Sequence, residues 1–480
     1  MMDNIYDLVI VGAGPSGLTL AQMCSKLNKK ILVIDKEASI GGCHKTRRIN
    51  INNEKIFSEH GPRIYCETYL VFKKLLNEMG VDFHDLFTEY NFGLTEIGGE
   101  TIFSVLSMYE LSILAGAFLF LIINENYGSD IVLYNYIKDF KPESKEMIDR
   151  VCKLTDGGGS DKFTLNEFLQ LFNQQFLYKL YQPKYPNDVG LFKIWQSYLE
   201  KSGVDFLLNI DISDINITNN KVNYINTSVD NKIQLIYGEK FVFAIPPDNL
   251  DNIMTKFKIP HNFGNLTQFA KDTKYIDYIC ITFHWDKKLN LKHVYGFPKS
   301  EWGVAFIILS DYMNFDEESS QTLISTGITL TDRLSSNNNK TADQCNKDEL
   351  FIEVFNQLKE SFGEMPEPTL VVLSPGVSYS NEKKKWISHD TSFINTAHHK
   401  YLPFKCGDID NLYNLGTHNG KSLYKFTSLE SAVSNGVYLS DVLYGTNNRK
   451  MITRSVTITD ILNIVIIVII IYLIYYVKYI

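Results

Sequence analysis

Two periods of apolar residues run along this 480-residue chain. Leu8 to Val11 is an unbroken apolar run ending at glycines, the pattern of a strand buried on both faces. Residues 18–23 follow with a helical period, and Ile31 to Ile34 form a second apolar run ending at Asp35. Helical period recurs at 69–79 and 165–169. Residues 204–209 and 212–215 alternate as strands do, and 278–285 and 304–309 read as further strands. The apolar run 113–123 is about a dozen residues long, too short to span a membrane; it suits a buried core helix better than a membrane-surface segment. Residues 461–477 carry no charge and approach the roughly 20 residues that cross hydrocarbon. Ser335-Ser336-Asn337-Asn338-Asn339-Lys340-Thr341 is polar and predicts a loop or disordered insert.

Composition bounds the class. Hydrophobic residues make up 45% and charged residues 21%, as in a globular protein with room for two or three domains. The net charge of -8 argues against nucleic acid as a partner, which needs a basic face. The seven cysteines contain no C-x-x-C, so neither a zinc site nor a redox dithiol is signalled, and free thiols are expected. The chain starts on the first strand pattern rather than on a signal peptide. Arg449, Lys450 and Arg454 precede the terminal apolar run. By the positive-inside tendency they predict a single-pass C-terminal anchor with the N-terminal body on the cytoplasmic side.

Gly12-Ala13-Gly14-Pro15-Ser16-Gly17 lies between the first strand and helix patterns. In such a turn the first glycine allows the tight bend, the second lets backbone approach a pyrophosphate, and the third lets helix pack on strand. The helix start offers free N–H groups and a positive dipole end to phosphates. Asp35 stands where a carboxylate accepts from a ribose hydroxyl. These residues alone allow NAD or FAD. The Gly157-Gly158-Gly159 run lacks a preceding strand, so a separate NAD(P)H domain is not expected.

The segment Asp35-Lys36-Glu37-Ala38-Ser39-Ile40-Gly41-Gly42 resembles the flavin-containing amine oxidase superfamily, which includes monoamine oxidases, protoporphyrinogen oxidases and phytoene desaturases. Three further segments are similar to it in the same order. They are Glu59-His60-Gly61-Pro62-Arg63, then Phe243-Ala244-Ile245-Pro246, then Leu412-Tyr413-Asn414-Leu415-Gly416-Thr417 with the helix from Ser428-Leu429 to Gly436. The resemblance spans roughly residues 5–445. It implies an α/β fold: an FAD-binding Rossmann-like domain with a parallel sheet (1–66, 184–262 and 400–447) and an interleaved α+β substrate domain (67–183 and 263–399). A linker (448–457) and a C-terminal transmembrane helix (458–480) complete it. The cofactor implied is FAD, held by Gly12, Gly14, Pro15, Ser16, Gly17, Asp35, Lys36, Gly42, Gly61, Pro62, Arg63, Ile212, Gly416, Thr417, Ser428 and Leu429.

Departures from the family pattern stand at Cys43, where Arg is usual, and at His418, Asn419 and Asn435. Lys45, Arg47 and Arg48 lie close enough in sequence to supply the missing cation. Gly416-Thr417-His418-Asn419-Gly420-Lys421-Ser422 has one residue too few for a P-loop. The run from Asp156 to Asp161 lacks the ligands of a calcium loop, and the histidines show no metal spacing.

The activity this predicts is a membrane-anchored FAD oxidoreductase of oxidase or desaturase type. It would oxidise an amine, a porphyrinogen-like compound or another small hydrophobic molecule, with oxygen or a membrane acceptor taking the electrons. Its partners would be that substrate and, through the tail, the lipid bilayer. No general base is evident; Arg63 is a candidate for placing a carboxylate or polarising the flavin, and Trp302 for lining the substrate side. Two alternatives remain: a non-catalytic membrane protein that kept the fold, motivated by Cys43, His418 and Asn419, and a redox-neutral flavoenzyme of the galactopyranose mutase type.

Overall fold

The computed structural model describes residues 5–479 except 60, 62, 94, 230–231, 274, 276–277, 293, 295, 316–319, 390–400 and 426. The expected site residue Pro62, and His293, His398 and His399, lie outside the described residues.

The larger sheet runs Val204–Leu207, Ile31–Ile34, Ile5–Val11, Lys232–Phe243, Lys221–Val229, Asp211–Thr218, with Leu412–Asn414 also pairing to Lys232–Phe243. Its first four neighbours and Leu412–Asn414 are parallel, and the remaining two form an antiparallel meander. The apolar run of the first strand is continuous because its alternate side chains enter two cores. Leu8 and Ile10 pack with the helices Pro15–Ser25, Leu191–Lys201 and Leu429–Tyr444. Val9 and Val11 pack with the meander and the helix Pro247–Lys256. Strands covered on both faces need this composition. Parallel strands also leave a crevice at their C-terminal ends, where ligands of open α/β sheets bind.

A second, antiparallel sheet runs Val304–Ile308, Thr322–Ile328, Ile279–Trp285, Leu370–Leu373. The helix Lys347–Phe362 packs on it, opened by a reciprocal cap between Asn346 and Glu349. Trp302 is fully buried in this core, the more usual place for an aromatic beside a strand, and not on a substrate wall. The polar stretch 335–341 is a pinned loop: Ser335 and Asn337 both donate to Glu353, at 2.5 and 3.0 Å.

The apolar run predicted as a core helix forms Met108–Ile123, but only one face of it is buried, through Glu110, Leu114, Ala117 and Leu121. Met108, Tyr109, Leu119, Phe120 and Ile123 are exposed. Nothing in the period of the run separated the two faces, because both are apolar. The chain finishes in the exposed helix Ile458–Tyr479. Among the described residues it is the one helix long and apolar enough to cross a membrane, by length and composition.

Candidate cofactor and substrate cavity

A cavity of about 540 Å³ opens at the C-terminal ends of the parallel strands and runs toward the second sheet. Of the described residues expected to hold a cofactor, all except Gly17 line it: Gly12, Gly14, Pro15, Ser16, Asp35, Lys36, Gly42, Gly61, Arg63, Ile212, Gly416, Thr417, Ser428 and Leu429.

The glycines divide into two kinds. Gly12 has a φ of +114°, and a Cβ there would stand 2.3 Å from the Ala244 carbonyl oxygen. A Cβ on Gly17 would stand 2.1 Å from the Gly12 carbonyl oxygen, so Gly17 serves the helix–strand contact under the turn. Gly14 differs: its nearest neighbour would be Gly42 Cα at 3.7 Å, an ordinary contact. Two side-chain-free backbones, Gly14 and Gly42, thus lie against each other in the cavity wall, and a Cβ on Gly42 would stand only 3.0 Å from Gly14 Cα. Gly14 is also the N-cap of Pro15–Ser25 and offers no side-chain acceptor. The N–H groups of Ser16 and Gly17 have no intrahelical acceptor, and the dipole there favours an anion.

Asp35 accepts from the Ala13 N–H at 2.7 Å and the Glu37 N–H at 2.9 Å. Burial raises its pKa, and these two bonds oppose the rise. A carboxylate has about four acceptor positions, so two remain for a hydroxyl. Of the three cations near Cys43, only Lys45 lines the cavity, 3.8 Å from Glu37. Arg47 pairs with Glu37 at 3.2 Å, and Arg48 makes a two-pronged contact with Asp188 at 2.6 and 3.1 Å. Spacing alone did not separate Lys45 from the arginines, because their partners come from distant segments.

The helix Leu429–Tyr444 begins on the opposite wall, N-capped by Ser428. It crosses Pro15–Ser25 at Gly436, where a Cβ would stand 2.8 Å from both the Ser16 carbonyl oxygen and Thr19 Cβ. Asn435 is buried and accepts from the Lys421 N–H at 3.0 Å. His418 and Asn419 turn away from the cavity and are buried. Asn419 accepts from the Gly416 N–H at 2.8 Å and donates to Asn414 at 2.9 Å, which also contacts His418. Burial brings the His418 pKa down to about 3, so it stays neutral. These two departures brace the turn after the last strand, and Thr417 Oγ1 is left buried without a hydrogen-bond partner.

A Cβ on Gly61 would stand 3.2 Å from Cys280 Sγ of the second sheet and 3.6 Å from Tyr278 beside it. Beyond it stand Arg63, Tyr69, His389 and the end of the helix Pro142–Asp156, through Leu154, Thr155 and Gly157. Apart from Arg63, sequence reasoning missed this far wall. Arg63 Nε and Nη2 are buried without hydrogen-bond partners. Burial pushes the nearby Glu59 carboxyl up to about 7, and Arg63 opposes the rise.

A family model for an NAD(P)-binding Rossmann-like domain matches residues 10–79. The UDP-galactopyranose mutase of Mycoplasma genitalium is 36% identical over 63 residues, 13% of this chain and 15% of the mutase. The 4,4'-diapophytoene desaturase (4,4'-diapolycopene-forming) of a Methylomonas species is 38% identical over 78 residues, 16% of this chain and 14% of the desaturase. Both matches therefore span about a seventh of these curated relatives. Wild-type putrescine oxidase bound to putrescine superposes with a TM-score of 0.64 at 14% identity, covering 92% of this chain and all of that one. The fold is that of the flavin-containing amine oxidases. In this amine oxidase fold the cavity lies between the Rossmann-like sheet and the second sheet, with the glycine turn at one end and Arg63 at the other.

Proposed function

We propose that the chain is a membrane-anchored, FAD-dependent oxidoreductase acting on a small amine, porphyrinogen-like or otherwise hydrophobic molecule, with oxygen or a membrane acceptor as the electron sink. The observation that carries this reading is one cavity lined both by the glycine backbones of Gly14 and Gly42 and by Gly61 and Arg63. The residues present suit the cofactor. The glycine backbones would let a pyrophosphate approach the turn closely, where the free N–H of Ser16 and the Lys45 ammonium would meet its charge and Asp35 would take a ribose hydroxyl. Ile212 and Lys36 would hold the adenine end. Gly61, Arg63, Gly416, Thr417, Ser428 and Leu429 would bound the ring end, where Thr417 Oγ1 and Arg63 Nε and Nη2 are buried without partners. Bound there, the flavin would supply two-electron chemistry, while the protein orients the substrate and excludes water.

The division into an FAD-binding domain (1–66, 184–262, 400–447), a substrate domain (67–183, 263–399), a linker (448–457) and a tail (458–480) belongs to the same reading. The body would sit on the cytoplasmic side, since Arg449, Lys450 and Arg454 precede the span.

The test is a visible absorption spectrum of the full chain purified in detergent. The two bands of an oxidised flavin, with FAD released on denaturation, are the expected result. A folded, colourless protein that takes up no added FAD would overturn it. Bleaching on addition of an amine, porphyrinogen or polyene would then name the substrate class.

A further inference from the structure

The helix Leu165–Gln175 ends between two segments far from it in sequence, and the consecutive amide side chains of Asn173, Gln174 and Gln175 serve both. Toward the tail, Asn173 Oδ1 accepts from the Thr459 N–H at 2.9 Å. Thr459 lies in the first turn of Ile458–Tyr479, where a backbone N–H has no acceptor within its own helix. Tyr178, just past the shorter helix, adds a second hold by donating to the Val456 carbonyl at 2.8 Å. Toward the cavity, Gln174 donates to the Leu423 carbonyl and accepts from the Lys425 N–H, both at 3.1 Å. Gln175 donates to the Tyr424 hydroxyl. Asn173 and Gln174 are buried, so neither has water as a ready substitute for these partners.

Residues 423–425 stand directly behind the cavity wall. Tyr424 is buried, donates to Cys66 Sγ at 3.8 Å, and meets the Tyr69 ring edge-on at 5.5 Å between centroids. Tyr69, Thr427, Ser428 and Leu429 line the cavity, and Ser428 caps the helix on its opposite wall. The last turn of a helix is its weakest part, because its carbonyls lack donors within the helix and its end frays. Here that turn is gripped from outside, by the tail on one side and by residues 423–425 on the other. If the tail lets go, the turn frays and Gln174 and Gln175 lose their geometry. Two sites that bias one element in this way are coupled, and coupling is reciprocal.

We propose that the last turn of Leu165–Gln175 couples docking of the tail to the order of the cavity wall, so that the protein firms this wall and retains its cofactor only when the start of the tail helix is seated. The coupling is a property of the apoprotein; its consequence for FAD rests on the proposed function.

The test is hydrogen exchange, read by mass spectrometry on the full chain in detergent without added cofactor. Asn173→Ala removes the acceptor and puts a better helix former in its place. Thr459→Pro removes the donor instead, in a first turn where proline is tolerated. Each should speed exchange at residues 457–461 and also, roughly 10-fold, at residues 421–425, with Lys347–Phe362 unchanged. Reciprocity requires Gln174→Ala to speed exchange at 457–461 as well. Faster exchange at 457–461 with 421–425 as slow as in the parent would overturn the proposal. So would faster exchange throughout Lys347–Phe362 in both N173A and T459P, which would make the contact a part of global folding. FAD release from the loaded protein is the second readout, expected to quicken in T459P by the factor seen at 421–425. A loosened wall with unchanged FAD release would overturn the link to the cofactor. If the parent binds no FAD, the proposed function falls, and the exchange result still decides the coupling.

Discussion

The substitution Gly14→Ala separates cofactor binding from folding. Gly14 has a φ of -80° and a ψ of 175°, which any residue adopts. The new methyl would meet Gly42 Cα at 3.7 Å and nothing closer. Alanine is a poorer N-cap than glycine, but it also reduces the freedom of the unfolded chain; each effect is about 0.5–1 kcal/mol, and they oppose. Stability is therefore expected to stay within about 0.5 kcal/mol of the parent. The methyl would stand on the cavity wall beside Ser16, where a pyrophosphate would come close to the backbone of the helix start. Loss of one hydrogen bond to a charged oxygen costs about 1.5–3 kcal/mol, a weakening of FAD binding of roughly 10- to 150-fold. FAD titration into the apoprotein, followed by flavin fluorescence, reads the affinity, and urea unfolding reads the stability. Equal affinity in G14A and the parent would refute the placement of the pyrophosphate. Loss of fold in G14A would refute the reading that the contact with Gly42 tolerates a methyl.

Other consequences are equally open to measurement. Lys45→Gln should weaken FAD about 10-fold, with a smaller salt dependence than the parent; unchanged binding would rule Lys45 out as the phosphate partner. Gly436→Val should cost at least about 1–3 kcal/mol in chemical denaturation, because helix backbones meet there. Burial holds Glu59 and Glu430 each up to about 7, against 4.5 ordinarily. The native state therefore keeps protons that the unfolded chain releases. Their contribution is full below about 4.5 and is lost as pH rises through 7, at up to about 1.4 kcal/mol per pH unit for each group. Glu59→Gln should flatten the decline between pH 5 and 7 in urea unfolding by up to one proton's worth; a slope identical to the parent would show that Glu59 ionises normally.

The nucleotide-binding end was legible because its signals are local. A strand, a glycine turn, a helix and an acid lie within residues 8–35, and each reports its own backbone need. The far wall was not legible. Tyr278, Leu154 and His389 reach the cavity from three separate segments, and no period in the sequence relates them. His418 and Asn419 looked like altered cofactor contacts because sequence shows position and not direction. In the structure both point into the protein and tie Gly416 to Asn414. The motive they gave for a non-catalytic reading disappears with that geometry. The run 113–123 was legible as a helix, but because both of its faces are apolar the sequence did not say which face the protein covers.

The crossing at Gly436 joins the first helix of the chain to the last helix of the body, some four hundred residues apart. A ribosome therefore finishes the glycine turn long before it makes the helix that covers it. The strand Leu412–Asn414, which pairs with Lys232–Phe243, arrives equally late. Contacts of such long sequence separation form slowly, because loop closure must precede them. The nascent chain thus carries an uncovered nucleotide turn and an unpaired sheet edge through nearly all of its synthesis. Protection of that turn and edge during translation then governs how much of the protein reaches the folded state.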